Sequence, residues 1–181
     1  MGKFSRRAIA FALVLLPLLA ASHEAGAQPA APMSGQTLAA APSVTLAAET
    51  TRVPLQPSAA AGALQRQLAG LGEQHPLFLV LDDLHAAQEP GIIYEIYLGL
   101  PPGAEPAAGD RHFVGTLNFF AVAPPNTARR SRSYNVTALI PELLAQGLSD
   151  DSLAVTIVGR AQSQPPSAVH PIIGSVALVA Q

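Results

Sequence analysis

The sequence predicts an all-β fold, mainly an antiparallel β-sandwich or barrel of about six to eight strands with one or two short helices. Two observations lead to this prediction. From residue 77 onward, apolar and polar residues alternate or form short apolar runs, which is typical of half-buried and fully buried strands. The connections between the runs are rich in Pro and Gly and contain no helix of crossover length. A parallel α/β sheet is therefore disfavoured.

The first 27 residues have the organisation of an export signal. A basic segment, residues 1–7, precedes an apolar run, residues 8–21, and Ala25-Gly26-Ala27 offers the small residues that a signal peptidase reads. We therefore expect cleavage near Ala27 and export to the periplasm or the medium. The pair Arg6-Arg7 leaves both the general secretory route and the twin-arginine route open. The apolar run is too short to span a bilayer.

The composition of the remaining chain excludes several classes of function. It carries seven Arg, no Lys and eleven acidic residues, a net charge of −4. A protein of this charge lacks the basic surface that binds nucleic acid or anionic lipid, so we expect neither partner. The chain also has no Cys. Disulfides, Cys-ligated zinc, iron–sulfur clusters and thiol catalysis are therefore excluded.

The residues before the predicted sandwich divide into two segments. Residues 28–42 are rich in Pro and Ala, with Ser and Gly, and carry no charge and no apolar period, which predicts a disordered linker. Residues 43–76 are predicted to be a joining segment. It contains β-prone pieces between residues 44 and 55, followed by a short helix over 59–71 that Ser58 caps.

Residues 77–181 are predicted to form the sandwich domain. A short helix over 138–146 interrupts the strands, with Asn135 or Thr137 as its cap and Gly147 as its end. The predicted strands are Leu77–Leu84, Ile92–Leu98, His112–Val122, Tyr134–Thr137, Leu153–Val158 and Ile172–Val179.

The run from His112 to Val122 carries the candidate binding residues. Strict alternation assigns one side of it to the core, namely Phe113, Gly115, Leu117 and Phe119. Thr116, Asn118 and Phe120 then share the opposite, half-polar side, where we expect the ring of Phe120 to contact a partner. A covering segment, or a one-residue bulge near Gly115, would instead bury Phe120.

The sequence offers little for catalysis or metal binding. Asp82-Asp83 and Asp150-Asp151 are acidic pairs at a strand end and a turn, where carboxylates usually face water. The histidines that follow the signal are His75, His85, His112 and His170. No two of them have the spacing of metal ligands on one helix turn, so we expect no metal and no other cofactor. A small copper carrier that uses His112 and His170 is the hypothesis that this leaves open.

Six motifs in chain order carry a resemblance to a known family. They are L-F-L-V-L-D-D-L (77–84), P-G-I-I-Y-E-I-Y-L-G-L-P (90–101), F-V-G-T-L-N-F-F (113–120), Y-N-V-T-A-L-I (134–140), L-A-V-T-I-V-G-R (153–160) and I-I-G-S-V-A-L-V (172–179). Together they resemble the C-terminal domain of tyrosinases and plant polyphenol oxidases. The segment V-T-L-A-A-E-T-T-R-V-P-L (44–55) is similar to the piece that joins the two domains of those enzymes.

The resemblance implies a domain that acts by binding rather than by catalysis. In the family, this domain packs over a type-3 copper site and carries no catalytic residue. The six copper-binding histidines of the family lie in a helical domain, and the four histidines here cannot replace them. We therefore expect a non-catalytic exported β-sandwich, not an enzyme, that shields or assists a copper oxidase catalytic domain in trans. An extracellular glycan- or matrix-binding module is a further alternative, although its aromatic platform would have to come from Tyr94, Tyr97 and Tyr134.

Overall fold

The computed structural model describes residues 35–107, 109–119, 130–147, 153–161 and 170–181. These residues all belong to one compact unit, Met33–Gln181. Within them the chain forms ten strands in two antiparallel sheets and two short helices, so the predicted all-β sandwich is confirmed. Neither helix of the described ranges is long and apolar enough to cross a membrane. The predicted signal peptide, residues 1–27, lies outside the described residues.

The elements follow in chain order. The strands are β1 (Gln36–Ala41), β2 (Val44–Thr45), β3 (Thr50–Pro54), β4 (Gln56–Pro57), β5 (Leu77–His85), β6 (Ile92–Leu98), β7 (Phe113–Leu117), β8 (Arg132–Asn135), β9 (Ala154–Ala161) and β10 (Ile172–Ala180). The helices are α1 (Ala61–Ala69) and α2 (Ile140–Ala145), and a 3₁₀ turn over Thr137–Leu139 precedes α2.

The two sheets divide the strands between them. The first sheet has the order β4-β1-β10-β5-β8, and β2 also pairs with β10. The second sheet has the order β3-β9-β6-β7. Alternate side chains of each sheet point inward, and the fully buried ones form one core between the sheets. In this core the rings of Tyr94 and Phe119 meet edge to face, with centroids 5.8 Å apart.

The predicted disordered linker, residues 28–42, is wrong over Gln36–Ala41. This segment forms β1, which pairs with β10 and buries Leu38 and Ala39. Half of this segment is Ala, which is depleted in strands and gives a weak local signal. The apolar strand β10 supplies the hydrogen bonds and the packing surface that make the segment a strand. Residues 28–34 lie outside the described residues.

The predicted joining segment, residues 43–76, is part of the sandwich rather than a separate piece. Its strands β2 and β3 pair with β10 and β9, which belong to different sheets. Helix α1 buries Leu64 and Leu68, as their helical spacing predicts. Ser58 does not cap this helix, because α1 begins later and its N-cap is Ala60, which makes no side-chain cap hydrogen bond. The backbone N–H of Ser58 instead donates to the carbonyl of Leu38 and extends the β1–β4 edge.

The second helix ends where it is predicted to end, but its start differs from the prediction. A 3₁₀ turn over Thr137–Leu139 replaces the first helical turn, and α2 begins at Ile140 without a side-chain cap at Leu139. The side-chain oxygen of Asn135 accepts the backbone N–H of Thr137 at 3.0 Å. The hydroxyl of Thr137 accepts the backbone N–H of Leu77 at 2.9 Å and ties the turn to β5. Gly147, with φ of +65°, follows the helix end in the left-handed conformation that glycine adopts without strain.

A β-bulge in β7 reverses the predicted orientation of Phe113. Ile96 pairs with Gly115 and Tyr97 pairs with Phe113, so Val114 is an extra residue on β7. Val114 packs against the core and the ring of Phe113 turns outward, 44% exposed. The predicted core position of Phe113 is therefore wrong.

Candidate interaction face

The outward side of the second sheet combines apolar, polar and charged side chains, and we call it the outer face. Paired residues on neighbouring strands point to the same side of a sheet, so the strand registers line them up in rows. One row contains Thr50, Val158, Glu95 and Thr116. The next row contains Arg52, Thr156, Tyr97 and Phe113.

Phe113 is the apolar anchor of this face. Its ring packs edge to face on Tyr97, with centroids 5.6 Å apart and an interplanar angle of 63°. Among the described residues, Phe113 is the one large hydrophobic side chain that is exposed to solvent. The ring therefore has one side fixed by the protein and the other in contact with solvent.

A charged cluster lies beside this anchor. One carboxylate oxygen of Glu95 accepts hydrogen bonds from the hydroxyl of Tyr97 and from Nε of Arg160, each at 2.9 Å. Burial, followed by the hydrogen bond to Glu95, raises the pKa of Tyr97. The hydrogen bond to Glu95 also raises the pKa of Arg160. The three side chains hold one another in place on the outer face.

Of the three predicted binding residues, Thr116 lies on β7 and Asn118 directly follows the end of this strand. Thr116 and Asn118 are exposed, whereas Leu117 and Phe119 are buried as the alternation predicts. Phe120 lies outside the described residues, so its exposure stays a prediction. The structure thus brings Thr116 close to Phe113, which the alternation assigned to the core. The sequence feature that indicates this bulge is Gly115, because a glycine within a strand often marks a bulge.

The β6–β7 loop, described over residues 99–107 and 109–112, crosses the β3 side of the outer face. Leu100 packs with Tyr97 and Val158 in a small buried cluster on this side. A terminal nitrogen of Arg52 donates to the carbonyl of Leu100 at 2.7 Å and fixes the start of the loop. Phe113, at the other end of the loop, lies on the β7 side of the face.

His112 anchors the base of this loop. Its Nδ1 lies 3.1 Å from the carbonyl of Leu98, and its Nε2 lies 3.2 Å from the amide nitrogen of Gln146. A neutral ring that donates from Nδ1 and accepts at Nε2 satisfies both contacts. The Gln146 amide in turn donates to Glu142, which pairs with Arg111 at 3.1 Å. His112 is therefore a structural residue of the sandwich.

The structure does not bring His112 and His170 together. His112 lies beside α2, at the end of the sandwich where β5 begins. His170 is exposed and lies two residues before Ile172, the first residue of β10, which pairs with His85 at the other end of β5. The nine residues of β5 span about 26 Å. Groups of three or more side chains arranged to hold a metal ion are absent from the described part of the chain.

The other candidate residues from the sequence are three tyrosines and two acidic pairs, and they lie in different environments. Tyr94 is buried in the core, Tyr97 is covered by Phe113 and the β6–β7 loop, and Tyr134 is half-buried. These rings do not form the flat exposed platform that a glycan-binding module would need. The pair Asp82-Asp83 lies on β5 with Asp83 exposed, and Asp150-Asp151 lies outside the described residues.

The fold is a two-sheet sandwich domain whose second sheet carries an exposed phenylalanine and a charged cluster on its outer face. A protein-family model described as a domain of unknown function (DUF7868) matches residues 33–181. The chain belongs to this family. Among curated proteins, none matches it. The matched residues coincide with the compact unit, so β1 is part of the family domain.

Proposed function

We propose that this protein is a non-catalytic exported binding domain that docks on a separately encoded type-3 copper oxidase and shields or assists its copper site. The resemblance of residues 43–181 to the tyrosinase C-terminal domain supports the choice of partner. The single observation that supports docking is the exposure of Phe113 on the outer face.

The surroundings of Phe113 suit a protein interface. Binding surfaces concentrate their energy in a few aromatic anchors surrounded by polar residues that exclude water. Phe113 loses little side-chain freedom on binding, because Tyr97 already fixes one side of its ring. Thr116 on the same strand, Asn118 just after that strand, and Glu95 on the neighbouring strand supply hydrogen-bonding groups around it.

The outward side of the first sheet provides a matched comparison. Phe78 lies there on β5, half-buried, beside Val80 and Ala177. It is a second partly exposed phenylalanine, on the opposite side of the sandwich from Phe113. A substitution of each tests which side docks.

The test combines the purified full chain with the catalytic domain of a six-histidine copper oxidase encoded in a neighbouring reading frame. Calorimetry gives the Kd, and oxidation of a diphenol reports shielding of the copper site. We expect Phe113→Ala to weaken binding about tenfold or more and Phe78→Ala to leave it unchanged. Phe120→Ala tests the residue that the sequence predicts in the same assay.

The experiment answers two separate questions, namely which face docks and whether the copper oxidase is the partner. If Phe78→Ala weakens binding and Phe113→Ala does not, the outer face is not the docking face. If the native chain neither binds the oxidase at micromolar concentration nor changes its activity, the proposed function is wrong. Melting temperatures of both variants, expected within a few degrees of the native value, exclude unfolding as the cause.

A further inference from the structure

We infer that a small pocket between the β6–β7 loop and the outer face binds a free amino acid or a similar small zwitterion. The pocket has a volume of about 270 Å³ and lies on the β3 side of the face. It is lined by Thr50, Glu105, Pro106, Val158 and Arg160. It is separate from the Phe113 anchor on β7, so this inference does not rest on the proposed docking.

Arg160 supplies the positive side of the pocket. Its Nε carries the hydrogen bond to Glu95, so the two terminal nitrogens are the donors that a ligand would meet. Two parallel N–H groups of a guanidinium match the two oxygens of a carboxylate. Tyr97 donates to the same oxygen of Glu95 and holds that carboxylate in place. The guanidinium is therefore oriented before a ligand arrives, and the hydroxyl of Thr50 adds a further donor.

Glu105 supplies the negative side from the loop above the sheet. Its carboxylate accepts hydrogen bonds from an ammonium group and repels an anion that carries no positive charge. Sulfate and phosphate are therefore disfavoured, although Arg160 alone would attract them. One cationic and one anionic side chain in the same pocket complement a ligand that carries both charges.

The remaining surface of the pocket limits the size of the ligand. Val158 is buried and forms an apolar floor, and Pro106 forms part of the loop side. A volume of about 270 Å³ lies near the lower end for small-molecule sites. It suits a single amino acid with a short apolar side chain, such as valine. Because Thr50 and Glu105 are exposed, we expect an affinity in the millimolar range.

Titration of the full chain with L-valine, followed by NMR of the backbone amides, tests the inference. We expect saturable shifts at Thr50, Val158 and Arg160. N-acetyl-valine lacks the ammonium group and valinamide lacks the carboxylate. Each should therefore bind at least about tenfold more weakly than valine. Equal shifts with all three compounds, or no saturable shift with valine, would overturn the inference.

Substitutions identify the two charged groups. Glu105→Gln should weaken valine about tenfold, because it removes the partner of the ammonium group, and should strengthen the weak binding of N-acetyl-valine, because it removes the charge that repels an anion. Glu89→Gln removes the same charge from an exposed loop position outside the pocket and should change neither. Arg160→Gln also removes the hydrogen-bond partner of Glu95, so Thr50→Val provides the test of the carboxylate side. A valine affinity that neither Glu105→Gln nor Thr50→Val changes would place the ligand elsewhere.

Discussion

The hydroxyl of Tyr134 donates a hydrogen bond to the backbone carbonyl of Thr116 at 2.8 Å and joins the two sheets at their edges. Tyr134 lies on β8, the edge of the first sheet, and Thr116 lies on β7, the edge of the second. The ring of Tyr134 also packs on Gly115, where a Cβ would lie 3.0 Å from it. An edge carbonyl that is bonded within the molecule is not available to an added strand. We therefore expect partners to dock on the side chains of the outer face rather than by strand addition at this position.

Tyr134→Phe should lower the free energy of unfolding by about 1 kcal/mol, because it removes this hydrogen bond and keeps the ring. Urea denaturation monitored by circular dichroism measures the change. Thr116→Ala keeps the accepting carbonyl and alters an exposed side chain, so we expect it to stay within about 0.5 kcal/mol of the native protein. Equal effects of the two substitutions would contradict a role for the hydroxyl.

The protein should lose stability in alkali. Burial is the leading cause that raises the pKa of Tyr94, Tyr97 and Tyr134 above the ordinary value of 10.0. In alkali, the folded state keeps tyrosine protons that the unfolded state releases. The contribution of these tyrosines to the free energy of unfolding is therefore fully present below pH 10, and it is lost as the pH rises through their pKa values in the folded state. Denaturation midpoints measured from about pH 8 to about pH 11 should fall across this range. A midpoint that stays constant above about pH 10 would contradict the raised pKa values.

Tyr94→Phe should stabilise the protein. The Tyr94 hydroxyl is buried in the core and has no hydrogen-bond partner among the described residues. A buried hydroxyl without a partner costs about 1–3 kcal/mol, and the substitution removes it without changing the packing of the ring on Phe119. We expect a gain of about 1 kcal/mol in urea denaturation. A loss of stability would indicate that an ordered water satisfies the hydroxyl.

Phe119→Ala should cost about 3–5 kcal/mol, because the ring is fully buried and leaves a cavity beside Tyr94. Phe113→Ala is the matched control on the same stretch of chain. Its ring is 44% exposed, so we expect a cost of about 1 kcal/mol. Calorimetric melting of the two variants measures the difference. Equal destabilisation would mean that the bulge does not turn Phe113 outward in solution.

Gly159→Ala should destabilise the protein by about 2 kcal/mol or more. A Cβ at this position of β9 would overlap the backbone carbonyl of Ala48, and the N–H of Gly159 donates to Glu49 in the same turn. Gly72→Ala is the control, since a Cβ there meets no atom within 4 Å. We expect its melting temperature to equal the native value. A native melting temperature for Gly159→Ala would show that the turn before β3 moves away freely.

The sequence predicted those strands whose own residues carry the signal. β5, β6, β9 and β10 are apolar enough to be recognised alone, and the structure has each of them within a few residues of the prediction. β1 is different, because Ala and Thr become a strand through pairing with β10 at the far end of the chain. Long-range pairing of this kind leaves no local pattern.

The candidate site shows the same limit. Alternation correctly placed Thr116 and Asn118 outward, because both follow the bulge. From Thr116 to Phe119 the exposed and buried residues alternate without interruption. It placed Phe113 inward because the bulge lies between Phe113 and those residues. The ion pair between Glu95 and Arg160 joins residues 65 positions apart. Only the register of β6 against β9 brings these two side chains together.

The pairing of β1 with β10 has a consequence for the order of folding. The strand nearest the N-terminus of the described chain lies between β4 and β10, so it has no neighbour on one side until the last strand exists. Contacts over so long a sequence separation slow folding, because the intervening loop must close first. A nascent chain that has been synthesised only as far as β9 therefore lacks the central strand of its first sheet. Truncation before Ile172 should therefore abolish the domain rather than shorten it, and a chain threaded through a membrane would complete its fold only after its C-terminal strand had passed.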